Sequence, residues 1–372
     1  MSKAADYHVG WICALATELT AARDMLDQKY DKLGRLPGDD NSYTYGRIGE
    51  HNVVIACLPA GVYGTNSASH VAGNMMRSFP SLRFGLMVGV GGGVPSRRND
   101  IRLGDVVVSK PIDQSSGVIQ YDMGRVRPGG MFQPTGSLNR PPTVLLNAVN
   151  DLASEHESSG SQIVHILQQA TANNPRRRRA CTYPNPPRDF LFQHTSQHVG
   201  EEGDCSDCDA NELVQRPNRD DTEPVIHYGI IASANQVVRD GVARERLRRD
   251  LNAMCLEMEA SGLMDNFPCL VIRGICDYAD SHKNKDWQPY AAATAAAYAK
   301  ELLGVIAPEQ VDEIPAAGGG GGGQPAEGNG RGGSRFIFNN HGSVGNQVGE
   351  QTNNGPMYFG TVNNHKLPGP PQ

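Results

Sequence analysis

Six short segments of this chain are near-continuous apolar runs of strand length: Val9 to Ala14, Asn52 to Leu58, Phe84 to Val88, Asp105 to Ser109, His227 to Ala232 and Cys269 to Ile275. A strand with one wet face alternates polar and apolar positions, whereas an unbroken run belongs to a strand covered on both faces. Helix-like stretches lie between them, with the length, spacing or Ala, Leu and Arg content of helices: Thr17 to Leu26, Asn66 to Arg77, Val144 to Ala153, Val242 to Leu251, Ser261 to Asn266 and Tyr290 to Leu303. This alternation predicts an α/β fold.

The pattern lapses between Gln162 and Glu223, where four arginines (Arg176 to Arg179), Pro184, Pro186 and Pro187, and then acidic and cysteine-bearing residues follow one another. Such a stretch reads as a polar insertion at about 160–223 in a domain spanning 1–306. Pro308, Pro315 and the run Gly318 to Gly323 mark a flexible linker over 307–334. Residues 335–372 are rich in Asn and Gly and too poor in apolar side chains for a core of their own. They read as a disordered tail or, because Asn and Gln ladders with interleaved Phe336, Phe338, Tyr358 and Phe359 suit cross-β stacking, as a prion-like one.

Charge narrows the partners. With 34 Lys and Arg against 40 Asp and Glu, the net charge of −6 gives no reason to expect nucleic acid or an anionic membrane. No run approaches the roughly 18 to 20 apolar residues of a spanning helix. Val9 to Ala16 follows Lys3 and ends in Ala-Leu-Ala, as a signal peptide does, but Asp6 and His8 argue for a buried first strand instead. Cys13, Cys57, Cys255, Cys269 and Cys276 lie within apolar segments and lack the spacing of a disulfide framework, which predicts a reducing, cytoplasmic setting.

Two constellations carry candidate chemistry. Val88-Gly89-Val90-Gly91-Gly92-Gly93-Val94 directly follows a predicted strand, where glycines let backbone N–H groups approach a ligand. It matches neither the dinucleotide fingerprint nor a P-loop, so a tight strand-to-helix turn is the alternative. Leu256-Glu257-Met258-Glu259-Ala260 and Arg273-Gly274-Ile275-Cys276-Asp277-Tyr278-Ala279-Asp280 place carboxylates in apolar surroundings, where an ionised group is costly unless paired or used. Asp277 ends a predicted strand, where open α/β sheets bind ligands; an ion pair of Arg273 with Asp277 or Glu259 is the structural alternative.

These segments, with Gly10-Trp11-Ile12-Cys13-Ala14-Leu15-Ala16-Thr17-Glu18 before them and Leu103-Gly104-Asp105-Val106-Val107-Val108-Ser109 after the glycines, resemble in order and spacing the nucleoside phosphorylase and nucleosidase superfamily across Tyr7 to Leu303. The stretch from Cys276 to Lys285 and from Tyr290 to Lys300 is similar to the version of this domain found in fungal immune-receptor-like proteins. The resemblance implies a three-layer α/β/α domain with a central mixed sheet, no organic cofactor, and a homo-oligomer. It implies Asp277 as the general acid toward the purine, Glu259 as the carboxylate on the ribose hydroxyls and Met258 beside the sugar. Val237 and Val238 would hold the base, and Gly89, Val90, Gly91, Gly92 and Arg273 belong to the same substrate site.

Hexameric phosphorylases bind phosphate through an Arg and a Ser at positions where this chain has Met87 and Val90, whereas Glu18 matches the glutamate that activates water in the related nucleosidases. The expectation is hydrolysis of an adenine nucleoside or nucleotide. A phosphate-dependent phosphorylase and a non-catalytic nucleotide-sensing adaptor are the alternatives. Arg97, Arg98, Arg102, His282, Lys283 and Lys285 near the expected mouth would suit a 5′-polyphosphate such as that of ATP, the alternative being ordinary surface charge. An activity toxic to its own cell would give the tail a purpose, assembly with a receptor-type partner. Finally, His194, His198, Cys205 and Cys208 offer four ligands for a structural zinc, against the alternative of an acidic loop with thiols.

Overall fold

The computed structural model describes residues 3–318 except 35, 127, 129–131, 185–187 and 201–204; the glycine run beyond 318 and the Asn/Gly-rich tail lie outside the described residues. The chain order is β1 (Val9–Cys13), α1 (Ala16–Asp24), β2 (Gln28–Tyr30), β3 (Tyr43–Ile48), β4 (His51–Cys57), α2 (Thr65–Ser78), β5 (Phe84–Gly93), β6 (Val106–Ser109), β7 (Val118–Gln120), β8 (Gly124–Val126) and β9 (Phe132–Pro134). It continues with α3 (Thr143–Ser159), α4 (Ile163–Ala170), α5 (Pro175–Ala180), β10 (Ile226–Ser233), α6 (Gly241–Leu251), β11 (Ala253–Glu257), β12 (Cys269–Asp277), α7 (Gln288–Gly304) and α8 (Pro308–Asp312). The α/β fold with a central mixed sheet is therefore as expected.

Every residue of β1 and β12 is buried, which is why their sequences show no alternation. The main sheet runs β11-β10-β6-β12-β5-β1-β4-β3-β2, with β7 paired to β10. Side-chain direction shows that both faces are covered. On one, Gly10 of β1 and Gly85 of β5 lie under Met75 of α2 and Phe267; on the other, Gly274 of β12 lies against the backbone of Ala291 in α7. The alanine-rich α7 can come this close because its buried positions carry mostly methyl groups.

The glycine run departs from expectation. It is not a turn: β5 continues through Gly93, pairing in parallel with β12 (Arg273 opposite Gly89, Asp277 opposite Gly92). Its last two residues also pair antiparallel with β11, Gly92 opposite Leu256 and Gly93 opposite Cys255. Since β11 returns through β10 and β6 to β12, the strands β5, β12, β6, β10 and β11 close on themselves. Glycines without side chains let β5 serve two partners at once.

Two boundaries also differ. The polar stretch after Gln162 begins with α4, whose Ile163 and Leu167, four residues apart, bury one helical face, and Cys181 is buried too. Beyond Ile306 the fold adds α8, with Val311 buried, and Ala317 donates its N–H to the Leu82 carbonyl at 2.6 Å. Among the described residues no helix is long and apolar enough to cross a membrane. All eight cysteines are among them, and none forms a disulfide.

A Cβ at position 274 would lie 1.8 Å from the Ala291 carbonyl oxygen, a backbone atom that cannot swing aside. Gly274→Ala is expected to cost about 1–3 kcal/mol of stability by overpacking, read as a lower denaturation midpoint with unchanged slope in urea.

Candidate functional site

The closure of the sheet brings the ends of β5, β11 and β12 together around a cleft of about 330 Å³. Its walls include Leu15, Glu18, Tyr63, Val90, Gly91, Gly92, Val237, Val238, Met258, Glu259, Asp277, Lys283 and Lys285. Beneath it lies the fully buried guanidinium of Arg273. Its Nη2 pairs closely with the Glu257 carboxylate and stands 3.6 Å from Glu259. Glu18 faces it from α1, and a Cβ on Gly89 would lie 2.4 Å from Arg273 Nη1 and 2.5 Å from Glu18 Oε1, so only glycine leaves room for the two to approach.

Each carboxylate is held differently. Glu18 sits at the third position of α1, where its Oε2 accepts from the N–H groups of Ala14 (2.7 Å) and Leu15 (2.9 Å) and the helix dipole favours it. Its Oε1 accepts from the Val90 N–H across the cleft floor at 2.8 Å. Burial nonetheless raises its pKa, against the opposing effects of Arg273 and these three N–H groups. Glu259 is pushed up to about 7, first by burial and then by the neighbouring Glu257 charge, with Arg273 pulling the other way. Glu257, which accepts from the N–H groups of Glu259 (3.1 Å) and Ala260 (3.0 Å), is the site residue the sequence reading missed. The spacing of two carboxylates around Met258 was the available signal, but spacing alone cannot say which one turns inward to the arginine.

Asp277 is 4 % exposed and takes part in a bulge where β12 slips register against β5 between Ile275 and Asp277. Its Oδ1 accepts from the Ala279 N–H at 2.9 Å, and its Oδ2 faces Cys276 Sγ and Lys283 Nζ, both at 3.1 Å. Ala279 has φ 52°, a left-handed conformation that a non-glycine residue adopts at a cost of about 1 kcal/mol or more. Burial lowers the Lys283 pKa, but the facing Asp277 and Cys276 outweigh it, and the net shift is upward, which keeps the ammonium charged. The second aspartate of the segment is structural: Asp280 accepts from Arg244 Nη1 at 3.0 Å, and the same nitrogen donates to the Tyr278 carbonyl.

The remaining candidates divide. Arg97 and Arg98 do not join the cleft. The hydrogen bond of Ser96 N–H to the Asn99 carbonyl turns the chain away, and both line a separate hollow with His194, Arg216, Arg244 and Arg248. Arg102 is bound to Asp100, and His282 is buried against Phe192. Among the described residues the metal-type group is His198, Cys205 and Cys208, and His194 falls outside it.

The family model of the phosphorylase superfamily matches residues 8–304. This chain belongs to that superfamily. A nucleotide-binding leucine-rich repeat-like protein of Hyaloscypha variabilis is 50 % identical over 305 residues, which cover 82 % of this chain; the chain spans about 30 % of that relative's length. A 5′-methylthioadenosine/S-adenosylhomocysteine nucleosidase of Mycobacterium bovis is 24 % identical over 80 % of this chain and 96 % of its own. Among solved structures, futalosine hydrolase of Helicobacter pylori shares the fold, with a TM-score of 0.51 and 17 % identity over 80 % of this chain and 98 % of that one.

A carboxyl group that titrates at about 7 when folded and near its ordinary 4.5 when unfolded binds more protons in the folded chain between those values. Stability therefore falls as pH rises through that window. Glu259→Gln is expected to flatten this decline, measured as urea midpoints from pH 4.5 to 7.5.

Proposed function

We propose that this superfamily member is an N-glycosidase that hydrolyses an adenine nucleoside or nucleotide to adenine and a ribosyl product. The convergence of Asp277, Glu259 and Glu18 on one cleft carries the reading. Cleavage of the C1′–N9 bond sends its electron pair to the purine and leaves an oxocarbenium-like sugar, so the reaction needs a proton at the base, a grip on the ribose and a base for the incoming water. The base would lie against Val237 and Val238, with Asp277 delivering the proton to N7. The ribose hydroxyls would meet Glu259, with Met258 packed beside the sugar. Water would add to C1′ and pass its proton to Glu18, whose raised pKa suits a group that accepts one.

Two observations support water over phosphate as the nucleophile. Met87, at one of the positions where phosphorylases of the superfamily keep a phosphate ligand, is buried in the sheet. Val90, at the other, has its N–H committed to Glu18. For the substrate's 5′ end, Lys283 and Lys285 line the cleft whereas Arg97 and Arg98 do not, so the nucleotide reading rests on two ammonium groups. Lys283 also occupies the Asp277 oxygen that the purine would need, and a 5′-phosphate drawing Lys283 away would free it. The NLR-like relative supports a signalling setting, in which the domain acts as effector of a receptor-type partner and as a homo-oligomer.

Incubation with adenosine, AMP and ATP in phosphate-free buffer, with free adenine followed by chromatography, tests the reading. Asp277→Asn and Glu18→Gln are each expected to lower kcat/KM by about 100-fold or more while the fold, read by circular dichroism, stays intact. Base release undiminished by Asp277→Asn would remove the proposal. Lys285→Ala is expected to lower kcat/KM for AMP and ATP and leave adenosine unchanged; equal effects on all three would leave a nucleoside as the substrate.

A further inference from the structure

The segment that meets the chain just after β12 carries a second constellation that the glycosidase chemistry does not use. His198, Cys205 and Cys208 come together so that one ligand atom of each lies within 4.8 Å of the others. Both sulfurs address the same ring nitrogen: Cys208 Sγ is 3.3 Å from His198 Nδ1, and Cys205 Sγ is 4.0 Å from it. With Zn–S near 2.3 Å and Zn–N near 2.0–2.1 Å, adjacent N and S ligands of a tetrahedral zinc stand about 3.6 Å apart. The two separations straddle that value, as expected of ligands that need only settle inward by a few tenths of an ångström onto an ion.

The surroundings are those of a built site. His198 is anchored by its own N–H, which donates to Ser281 Oγ at 2.9 Å, and its ring meets the His282 ring edge to face, with centroids 5.5 Å apart. His282 is 6 % exposed, stacked on Phe192 at 3.8 Å, and neither of its ring nitrogens makes a hydrogen bond among the described residues. Its Nδ1 stands 3.5 Å from Asp280 Oδ1. A buried imidazole whose Nε2 has no partner among the described residues is costly to leave unmet. His282 and Cys205 line one small cavity together with Asp277 and Asp280.

We infer that His198, Cys205 and Cys208 bind one zinc ion, with the fourth position taken by water beside His282. The ion is structural and takes no part in glycosidic cleavage. It fastens the turn carrying Cys205 and Cys208 to His198, which itself contacts Ser281 and His282, the residues immediately before Lys283. Bound zinc therefore fixes the stretch of chain that carries the ammonium facing Asp277. Both thiols bind as thiolates, so loading releases protons and tightens as pH rises.

Metal content of the full chain, purified under a thiol-free reductant and dialysed, is the direct test. Mass spectrometry of the metal should give about one zinc per chain, and Cys208→Ser and His198→Ala should each lower it by tenfold or more. His194→Ala, outside the group, should keep it. Both ligand side chains are only half-buried, so these changes open no core; circular dichroism and the urea midpoint check the fold. Cobalt in place of zinc should give an intense thiolate-to-metal absorption band that Cys208→Ser abolishes. A chelator should lower the thermal midpoint of the wild type and leave that of Cys208→Ser unmoved. A metal-free wild type that gains neither zinc nor a cobalt band on addition of the ions, a Cys205–Cys208 disulfide persisting under reductant, or a zinc content unaffected by Cys208→Ser would overturn the assignment.

Discussion

The site depends on one buried cation. Three carboxylates, those of Glu18, Glu257 and Glu259, face the same interior space, and together they would repel one another and pay the full cost of leaving water. Arg273 lies among them with no exposure to solvent, and their combined field more than overcomes the burial that would otherwise lower its pKa. Its Nε and Nη1 find no hydrogen-bond partner among the described residues, so its hold on Glu18 is through charge, with the close pairing reserved for Glu257. Removing the arginine would be strongly destabilising, because the buried carboxylates around it would be left uncompensated. The arginine thus lets two carboxyl groups with raised pKa values coexist in the wall of the cleft.

The sheet builds this arrangement. Because β5 runs on through glycines and pairs with both β12 and β11, the chain ends that carry Asp277 and the Glu257–Glu259 segment meet at one place. The bulge before Asp277 and the left-handed Ala279 after it set the direction of the aspartate, and the energy stored in that bend is offset by Arg244 holding Tyr278 and Asp280 behind it. A second buried aspartate does comparable structural work farther away: Asp105 accepts from Arg219 and His227 and ties the start of β6 to the entry of β10.

Much of this was legible in the residues. Fully buried strands announce themselves as continuous apolar runs, which is how β1, β4, β5, β6, β10 and β12 could be placed. By contrast β11 follows α6 with only Asn252 between them, its left-handed backbone (φ 53°) ending the helix without a glycine or proline to mark the break. The edge strand β2 and its neighbour β3 mix polar and apolar positions because they are covered on fewer sides. The apolar pair Ile163 and Leu167 was outweighed by the polar residues after it, so α4 was read as part of an excursion. In the site, Glu18, Glu259, Asp277, Val237 and Val238 do reach one cleft. Arg97 and Arg98 do not, since nearness in sequence to the glycine run says nothing about the turn at Ser96 that carries them elsewhere. Spacing could suggest a metal group, yet whether His194 or only His198 belongs to it depends on how the segment folds back.

We propose that water, rather than phosphate, captures the sugar while the purine leaves. Incubating the protein with its best purine substrate in the presence of millimolar phosphate and identifying the sugar product tests it most directly. The account predicts a product with a free anomeric hydroxyl, formed at a rate indifferent to phosphate. A sugar 1-phosphate, with turnover that vanishes when phosphate is withheld, would contradict it.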